Sequence, residues 1–576
     1  MMRNKGVYYL VCAFAVFWAV ILGAQVLDPV VNVCTADGMQ GWPQVACNPV
    51  ADEYLVVWED YRNSATTGSD LWGQFVSADG TLRGDNFAIC QVATDQFWPH
   101  LDYDPDLDRY LIVFEDYRNN QLGDIYGIFV GSDGSIIPVT NSEADGSFSI
   151  CTNDGGIYAP SVAFNFRESV YLAVWEDHRN MTSDIYGQIV SAQGTLLGPP
   201  APPDPTVNFA IENNIDFNEG VPDISYSSRT NEWFVVYGRG GVCQVLGRRV
   251  NALGQLVSRE GTTDPSPPMT LSDATNLTPD GMQPRVHFNN EYVADFGKRV
   301  REDGSCECMV IWNTETGAGA GDDVYGQRVG FILEGLTYVA YLLDQQGSTS
   351  TFTRYNQAVS SAAGSQRASD IAYSTQDNEF LAGWGDGRDP NSTEHDLYCQ
   401  RLWVNAENQL ILLNGDRSGP VDPSTNIPVD ATANYEGSLV GMAHSMARNE
   451  FFLVYTFEDV GQGLASDVLG RRIAGSPPTA IPVPMLQTPE SFSLGHNYPN
   501  PFNAETVIPF QVKSPCRVIL RVYDLMGREV LHVLDREYTA GSYRVSLNSS
   551  ALTSGVYFYK IRMGEFSAVR KMVVLE

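Results

Sequence analysis

One phrase returns seven times along the sequence, and this repeat constrains the fold more than any other feature. Its clearest copies read YLVVWEDYRN, YLIVFEDYRN and YLAVWEDHRN, and each is followed by a run such as DIYGQIVS. The central aromatic of each copy recurs at intervals of about 56 to 75 residues. These aromatics are Trp58, Phe114, Trp175, Tyr237, Trp312, Trp384 and Tyr455. A repeat of this length made of short strands predicts one supersecondary unit that stacks against its neighbours.

Each full copy contains four strand-like runs separated by turn residues. In the third copy the runs are PSVAFN, VYLAVWE, DIYGQIVS and NFAIE. The second run is apolar on both faces, as expected for a strand in a sheet that lies between two other sheets. No long stretch has helical spacing. The pattern therefore predicts an all-β fold of four-stranded antiparallel sheets arranged radially, a β-propeller.

The two ends of the repeat region predict how the propeller closes. The fourth strand reads FAIC, FSIC and FAIE in the first three copies, and a matching VNVC (Val31–Cys34) precedes the first copy. The seventh copy lacks this strand and runs into the proline-rich SPPTAIPVP. We expect the N-terminal strand to complete the last blade of a seven-bladed propeller over residues 25–480. An open solenoid of the same units is the alternative.

Composition limits the cellular setting and the partners. With 576 residues and 43% hydrophobic content, the chain should fold into two or more domains. Its formal net charge of -33 argues against binding to nucleic acid. Arg3 and Lys5 precede an apolar stretch over residues 7–23, which predicts a secretory signal peptide at 1–24 and no transmembrane segment after its removal. A retained membrane anchor is the alternative.

A different pattern begins after a proline-rich linker at 481–490. The runs VILRVYD, YRVSLN and VYFYKIRM alternate polar and apolar residues between turns that contain Gly, Asn or Ser. This pattern predicts a small β-sandwich at 491–576.

The C-terminal region resembles the type A sorting domains that direct proteins to the type IX secretion system. Those domains are similar to the immunoglobulin-like domain of flagellar hook-capping proteins. The residues that carry the resemblance are Asn497, Pro499, Asn500, Pro501, Phe502, Asn503, Gly527, Arg528, Gly555 and Lys571. The resemblance implies an immunoglobulin-like fold, the type IX machinery as a partner, and passage through the periplasm to the exterior or the outer cell surface. An ordinary immunoglobulin-like adhesion module is the alternative.

Acidic turns are the most conspicuous candidates for chemistry. Paired carboxylates can perform acid–base hydrolysis, but a catalytic pair should break the symmetry of the repeat, and these turns recur. We therefore favour a structural Asp–Arg–Asp network that fixes each hairpin, with calcium binding and catalysis as the alternatives. The residues are Asp60, Arg62 and Asp70, then Asp116, Arg118 and Asp124, then Asp177, Arg179 and Asp184, and finally Asp386, Arg388 and Asp396.

Two further features suggest weaker sites. Asp102, Asp104, Asp106 and Asp108 alternate along the chain as in oxygen-ligand calcium loops, so Ca²⁺ is a possible cofactor there. The same aspartates also suit an ordinary turn. Cys34, Cys90 and Cys151 occupy matching places in three copies and are interpreted as small buried apolar residues.

The predicted ligand contacts are Trp98, Tyr158 and Arg239. Trp98 and Tyr158 fall between blades on the rim of the acidic turns, where an aromatic ring can stack on a sugar, and burial between blades is the alternative. Arg239 lies where the fourth copy replaces its acidic turn by GRGG. We predict no catalytic residue. The leading hypothesis is a secreted or surface-bound, non-catalytic binding module for a glycan or a protein. An extracellular polysaccharide hydrolase or lyase and a structural surface protein are the alternatives.

Overall fold

The computed structural model describes residues between 28 and 574. The described residues are 28–119, 121–153, 155–198, 208–240, 244–263, 267–272, 284–288, 306–315, 322–334, 337–350, 356–388, 396–405, 407–415, 419–430, 435–436, 440–459, 466–475, 492–495, 497, 505–514, 516–538, 541–548, 552–564 and 566–574. The predicted signal peptide and linker lie outside them. The chain divides into two compact units, Met1–Gly475 and Ser476–Glu576.

All regular elements among the described residues are β-strands, which confirms the all-β prediction. In the first unit they form seven antiparallel sheets. Strand β1 is Val31–Cys34. The first sheet contains β2 (Gln40–Asn48), β3 (Glu53–Asp60), β4 (Asp70–Ser77) and β5 (Leu82–Cys90). The second contains β6 (Gln96–Asp104), β7 (Arg109–Asp116), β8 (Asp124–Gly131), β9 (Ile136–Ile137) and β10 (Phe148–Cys151). The third contains β11 (Ile157–Asn165), β12 (Val170–Asp177), β13 (Asp184–Ser191), β14 (Leu196–Leu197) and β15 (Phe209–Glu212).

The remaining sheets of this unit follow the same plan. The fourth contains β16 (Glu219–Ser227), β17 (Glu232–Arg239), β18 (Gln244–Asn251), β19 (Leu256–Val257) and β20 (Met269–Thr270). The fifth contains β21 (Arg285–Phe288), β22 (Cys306–Glu315), β23 (Asp322–Glu334), β24 (Thr337–Leu343), β25 (Thr349–Ser350) and β26 (Gln357–Ser360). The sixth contains β27 (Gln366–Ser374), β28 (Glu379–Asp386), β29 (Asp396–Val404), β30 (Leu410–Leu413) and β31 (Ile427–Asp430). The seventh contains β32 (Tyr435–Glu436), β33 (Val440–Ser445), β34 (Glu450–Asp459), β35 (Ser466–Ala474) and also β1.

The first long strands of the seven sheets contact one another in a closed order. Strand β2 contacts β6, β6 contacts β11, and the series continues through β16, β21, β27 and β33 back to β2. Between neighbouring sheets lie separate apolar cores, each built from the facing sides of two sheets. The fold of this unit is therefore propeller-like, with the first strands innermost.

The N-terminal strand completes the last sheet, as the VNVC motif predicts. Val31 lies opposite Gly470 and Asn32 opposite Leu469 in an antiparallel pair between β1 and β35. Val33 and Cys34 are buried in a core that also holds Val454. The first and last strands of the unit thus share one sheet.

The glycine that follows the strand aromatic is a packing requirement. A Cβ atom on Gly127 would lie 2.8 Å from the ring of Phe148 and 3.0 Å from Ile150. Both contacts come from β10, the outer strand that pairs with β8. A larger residue at position 127 would therefore displace the outer strand, and the glycine permits this close approach. The sixth copy differs, because Cys399 stands at the equivalent position.

The second unit consists of two antiparallel sheets around one core. The first sheet contains β36 (Ser493–Leu494), β37 (Glu505–Val512) and β40 (Gly541–Asn548). The second contains β38 (Cys516–Tyr523), β39 (Glu529–Tyr538), β41 (Gly555–Met563) and β42 (Phe566–Val574). Ile508 and Phe510 of the first sheet and Leu520 and Ile561 of the second belong to the same buried cluster.

The closing strand gives a test of the ring. Val33 is 1% exposed, whereas Asn32 beside it is exposed. A carboxylate at position 33 would be buried without a partner, so we expect Val33→Asp to lower the free energy of unfolding by about 3 kcal/mol or more. Asn32→Asp is the matched control and should leave it nearly unchanged. Equal denaturant midpoints for Val33→Asp and the wild type would contradict the pairing of β1 with β35.

Candidate functional site

The aspartate of each acidic turn is fully occupied by its own hairpin. Asp60 accepts two hydrogen bonds from the guanidinium of Arg62, at 2.8 Å and 2.6 Å, and one from the indole of Trp58 at 2.9 Å. The guanidinium also stacks 3.8 Å above the ring of Trp72. The same ion pair recurs between Asp116 and Arg118 (2.7 Å), Asp177 and Arg179 (2.6 Å), and Asp386 and Arg388. These bidentate pairs fix the turns and engage their aspartates.

The second aspartate of the motif has a different partner from the predicted one. Asp70 lies opposite Asp60 in the strand pair, but it accepts hydrogen bonds from the side chains of Asn63 at 3.2 Å, Thr67 at 3.0 Å and Gln91 at 3.2 Å. The equivalent bonds join Asn119 to Asp124 (3.0 Å) and Asn180 to Asp184 (2.6 Å), and Asp396 lies opposite Asp386. In the first three copies the third member of the predicted Asp–Arg–Asp network is therefore bound to an asparagine of its own turn. The arginine of the second copy does bridge two aspartates, but the second of them is Asp145, at 3.2 Å.

The repeated cysteines join neighbouring sheets. The Nη2 atom of Arg62 lies 3.3 Å from Cys34 Sγ, although Cys34 belongs to the preceding sheet. The same contact links Arg118 to Cys90 (3.6 Å) and Arg179 to Cys151 (3.5 Å). The three thiols are buried, as predicted, but each faces a guanidinium of the next sheet rather than apolar groups alone.

The glutamate of each acidic turn also reaches the next sheet. Glu59 accepts the backbone N–H of Trp98 at 2.8 Å, and Glu115 accepts that of Ala159 at 2.7 Å. Glu176 accepts that of Val221 at 3.1 Å. Burial raises the pKa of Glu59 to about 8 and that of Glu115 to about 7. The acidic turns are thus connectors between sheets.

The residues that these glutamates hold have an unusual backbone conformation. Trp98, Ala159 and Val221 have φ values of 51°, 50° and 48°, and Trp42 has 49°. Each sits in a bulge near the start of the first strand, between paired residues such as Phe97 and His100. Non-glycine residues with positive φ are strained, typically by about 1–3 kcal/mol. The glutamate bond compensates part of that strain from the preceding sheet.

Two of these bulges bring a pair of indoles together. Trp98 packs against Trp42 with ring centroids 3.9 Å apart and planes inclined by 36°, and both side chains remain half-exposed. The pairing of Phe97 with Glu115 places Trp98 on the rim of the acidic turns, where the sequence predicts it. Trp42 is the partner that sequence reasoning missed. The shared Trp-Pro dipeptide at 42–43 and 98–99 is the signal that identifies it.

The other two predicted ligand residues have protein partners. Tyr158 is half-exposed and meets the ring of His178 edge-on, with centroids 5.2 Å apart. Arg239 is buried and forms ion pairs with Glu219 at 2.7 Å and with Glu212 at 3.3 Å. Its guanidinium is therefore engaged between the third sheet, which holds Glu212, and the fourth sheet, which holds Glu219.

The four aspartates of the proposed calcium loop point to different surroundings. Asp102 accepts the backbone N–H of Phe164 at 2.7 Å, and Asp104 accepts two backbone N–H groups of its own turn. Asp106 accepts a hydrogen bond from Ser169, whereas Asp108 accepts one from Tyr103. Within the part of the chain that the structure describes, no three His, Cys, Asp or Glu side chains group to hold a metal ion.

A cavity of about 230 Å³ lies among the innermost strands. Its polar lining comes from side chains at one equivalent position in successive first strands, just after the bulge. Gln44, His100, Asp223 and Asp370 line the cavity at this position, and Asp102 and His444 lie further along the strands. Ser161 and Arg285 occupy the same position in the third and fifth sheets. Unlike the acidic turns, this set differs from sheet to sheet.

Hydrogen bonds fix the polar groups of the cavity. The backbone N–H of Val162 donates to His100 Nδ1 at 3.3 Å, and that of Met442 donates to Asp370 Oδ2 at 2.6 Å. Burial lowers the pKa of His100 to about 4, so the imidazole is neutral at pH 7. Burial and the nearby Asp223 raise the pKa of Asp370 to about 7, against the effect of Arg285.

The described residues of the predicted sorting motif support the second unit. Asn497 is buried and donates its backbone N–H to the Tyr559 hydroxyl at 2.8 Å. Gly527 occupies a turn with φ of 77°, and Arg528 pairs with Asp524 at 2.7 Å beside it. Gly555 begins β41, and Lys571 is exposed on β42. Pro499, Asn500, Pro501, Phe502 and Asn503 lie outside the described residues.

Comparison with known families confirms the C-terminal resemblance. A family model described as a secretion system C-terminal sorting domain matches residues 496–575. The protein is therefore one of those exported by the type IX route to the cell surface or the extracellular space. Among curated proteins no match is found. In the described part of the chain, no helix is long and apolar enough to cross a membrane.

Solved structures resemble the chain only distantly. The Plexin A4 full extracellular region gives a TM-score of 0.43 at 10% identity, covering 95% of this chain and 62% of that one. The chain thus spans about three fifths of the Plexin A4 chain. The periplasmic gluconolactonase PpgL of Pseudomonas aeruginosa gives 0.37 at 13% identity, covering 74% and 97%. The endo-arabinase of Bacteroides thetaiotaomicron gives 0.29 at 12% identity, covering 52% and 96%. None of these values supports a functional argument.

The buried Glu59 predicts an unusual dependence of stability on pH. Its folded-state pKa of about 8 lies above the ordinary 4.5, so the stability it contributes in acid is lost as pH rises from about 4.5 through 8. Glu59→Gln keeps an acceptor for the Trp98 N–H and removes the charge. We expect this variant to raise the free energy of unfolding by about 1–3 kcal/mol near pH 8 and to change it little near pH 4.

Urea unfolding of Glu59→Gln at both pH values checks this prediction. Glu407→Gln is the control, because Glu407 is exposed. A variant that is less stable than the wild type at the higher pH would show that ionised Glu59 stabilises the fold.

Proposed function

We propose that the exported chain is a non-catalytic binding module whose first unit presents a glycan-binding platform at Trp42 and Trp98. In this proposal the first unit is a seven-bladed β-propeller closed by β1, and the second is an immunoglobulin-like sorting domain. The closed order of the first strands and the pairing of β1 with β35 support the propeller. The sorting-domain match supports export to a place where glycans of cell surfaces and matrices are accessible.

The indole pair is the observation that carries the proposal. Trp42 and Trp98 belong to different sheets, yet both adopt a positive φ that brings their rings together on one rim. Aromatic faces that remain accessible to solvent are suited to the apolar face of a sugar ring. A strained backbone that persists at such a place is a common property of binding sites. Glu59 beneath Trp98 holds the platform in position through its N–H bond.

Binding is favoured over catalysis because the carboxylates near the platform already have partners. Asp60 is held by Arg62 and Trp58, and Glu59 by the N–H of Trp98. A glycosidase needs one carboxyl that can donate a proton and one that stays ionised. The acidic rim has a carboxyl with a raised pKa in Glu59, but Glu59 is bound to the Trp98 N–H and Asp60 to Arg62, so the pair suits a structural role better than catalysis. A protein ligand and a structural surface role remain the other outcomes of the binding test.

An extracellular polysaccharide hydrolase or lyase is the second candidate, and the cavity is the observation that favours it. Asp223 and Asp370 line one cavity, and their mutual repulsion contributes to the raised pKa of Asp370. A carboxyl whose pKa is raised in this way can act as the acid of an acid–base pair. However, both oxygens of Asp370 accept backbone N–H groups, from Ile371 at 2.8 Å and from Met442 at 2.6 Å. These bonds favour the ionised form and suit a positioning role better than proton donation.

Replacement of Trp98 tests the glycan platform. On a glycan array, Trp98→Ala should weaken retention by about tenfold or more, because the ligand loses one stacking face. Trp403→Ala is the matched control, since Trp403 is half-exposed on β29 and pairs opposite Glu379, away from the acidic turns. Retention of the same glycans by Trp98→Ala and the wild type would exclude the platform. Polysaccharide turnover without glycan retention would favour the hydrolase.

Removal of the second unit tests the route of export. In a bacterium that has the type IX machinery, we expect a chain ending at Gly475 to accumulate in the periplasm, because the matched domain lies wholly beyond that residue. The fraction of protein outside the cell, measured for this chain and for the full-length chain, gives the answer. An extracellular fraction equal to that of the full-length protein would contradict a sorting function for residues 496–575.

A further inference from the structure

The cavity is the place where the repeat loses its symmetry. The Asp–Arg acidic turns, the strand glycines and the positive-φ bulges are each found in at least four of the seven sheets among the described residues. The residue that follows the bulge varies instead: it is Gln44, His100, Ser161, Asp223, Arg285 and Asp370 in the first six sheets. At the same position of the first strand, the six sheets thus carry a neutral amide, an imidazole, a hydroxyl, a guanidinium and two carboxyl groups.

These groups form a connected set of donors and acceptors. Because His100 Nδ1 accepts the N–H of Val162, the neutral imidazole carries its hydrogen on Nε2. That nitrogen lies 3.5 Å from Ser161 Oγ, and the Ser161 hydroxyl donates to Asp223 Oδ1 at 3.1 Å. Donors at His100 and Gln44 and acceptors at Asp223 and Asp370 therefore border the same space.

The chemistry of the lining limits the ligand. A hydroxyl group donates and accepts at once, so a polyhydroxylated molecule can satisfy a mixed lining of this kind. Three carboxylates, Asp102, Asp223 and Asp370, disfavour an anion. The apolar residues Ile371 and Met442 contribute to the remaining wall and suit the C–H groups of a sugar. A volume of about 230 Å³ lies below the usual range of pockets for drug-sized ligands, which indicates a single small molecule.

We propose that this cavity binds one neutral polyhydroxylated molecule of monosaccharide size. The site is separate from the platform at Trp42 and Trp98, because neither indole lines the cavity. Its lining continues instead toward the hairpins at the other ends of the first strands, where Pro49, Pro105 and Met446 border it. The proposal therefore does not depend on the glycan platform, and the two can fail separately.

Calorimetric titration of the full chain tests this site. The probes are D-glucose, D-galactose, D-mannose and L-arabinose, each raised to high millimolar concentration, with D-glucuronate and putrescine as the charged comparisons. We expect at least one neutral sugar to bind more tightly than both charged probes. The absence of heat from all four sugars, or tighter binding of putrescine or glucuronate, would overturn the proposal.

Variants assign the binding to the cavity. Asp223→Asn should weaken the sugar that binds by about tenfold, because a charged acceptor for the ligand hydroxyls is lost. Gln44→Ala is a second variant with a half-exposed side chain, so it tests the site even if Asp223→Asn fails to fold. Trp98→Ala and the exposed Asp79→Asn are the controls and should bind like the wild type. Unchanged affinity in Gln44→Ala, or equal weakening in Trp98→Ala, would place the sugar outside the cavity.

Discussion

The closed arrangement of the seven sheets depends on hydrogen bonds to the unpaired edge of the first strand in each sheet. The first strand of each sheet pairs with the second on one side only, so its other edge presents backbone groups that need hydrogen bonds. Side chains of the preceding sheet supply part of them. Glu59 serves Trp98, His100 serves Val162, and Asp370 serves Met442. Every such bond crosses from one sheet to the next and therefore fixes their spacing as well as satisfying an edge.

Contacts between neighbouring sheets also explain why the buried aspartates of the acidic turns are tolerated. A carboxylate in a core is costly unless it is paired or hydrogen-bonded. Asp60 meets Arg62, whose guanidinium continues to Cys34 of the preceding sheet and stacks on Trp72. The arginine thus joins three strands at once, and the outer strand receives a contact that apolar packing alone would not provide. In the seventh sheet that outer strand is β1, so the same device holds the closing strand in place.

The sequence predicts the scaffold well because the scaffold repeats. VNVC matches the fourth-strand sequences FAIC, FSIC and FAIE, although no first three strands precede it. Strand β1 pairs with β35, as this match predicts. The third member of the Asp–Arg–Asp network was less predictable, because Asn63 and Arg62 both stand near Asp70 in sequence and only geometry decides between them. The cavity was not predictable at all. His100 and Asp370 each stand 14 residues before the central aromatic of their copy, but the residue types at this position vary, so the repeat pattern did not mark them as the lining of one cavity.

This contrast between repetition and difference indicates where function lies. A residue that recurs in each sheet must satisfy a need that each sheet has, such as closing a turn or capping an edge. Glu59 and Glu115 accept equivalent backbone N–H groups of the next sheet. We therefore interpret both as structural residues. The indoles of Trp42 and Trp98 depart from this rule, because the equivalent bulge carries Ala159 in the third sheet and Val221 in the fourth. The same strained backbone thus carries a half-exposed indole pair in two sheets and an alanine or a valine in the next two. The glycan-binding role that we propose for the indole pair would account for this difference.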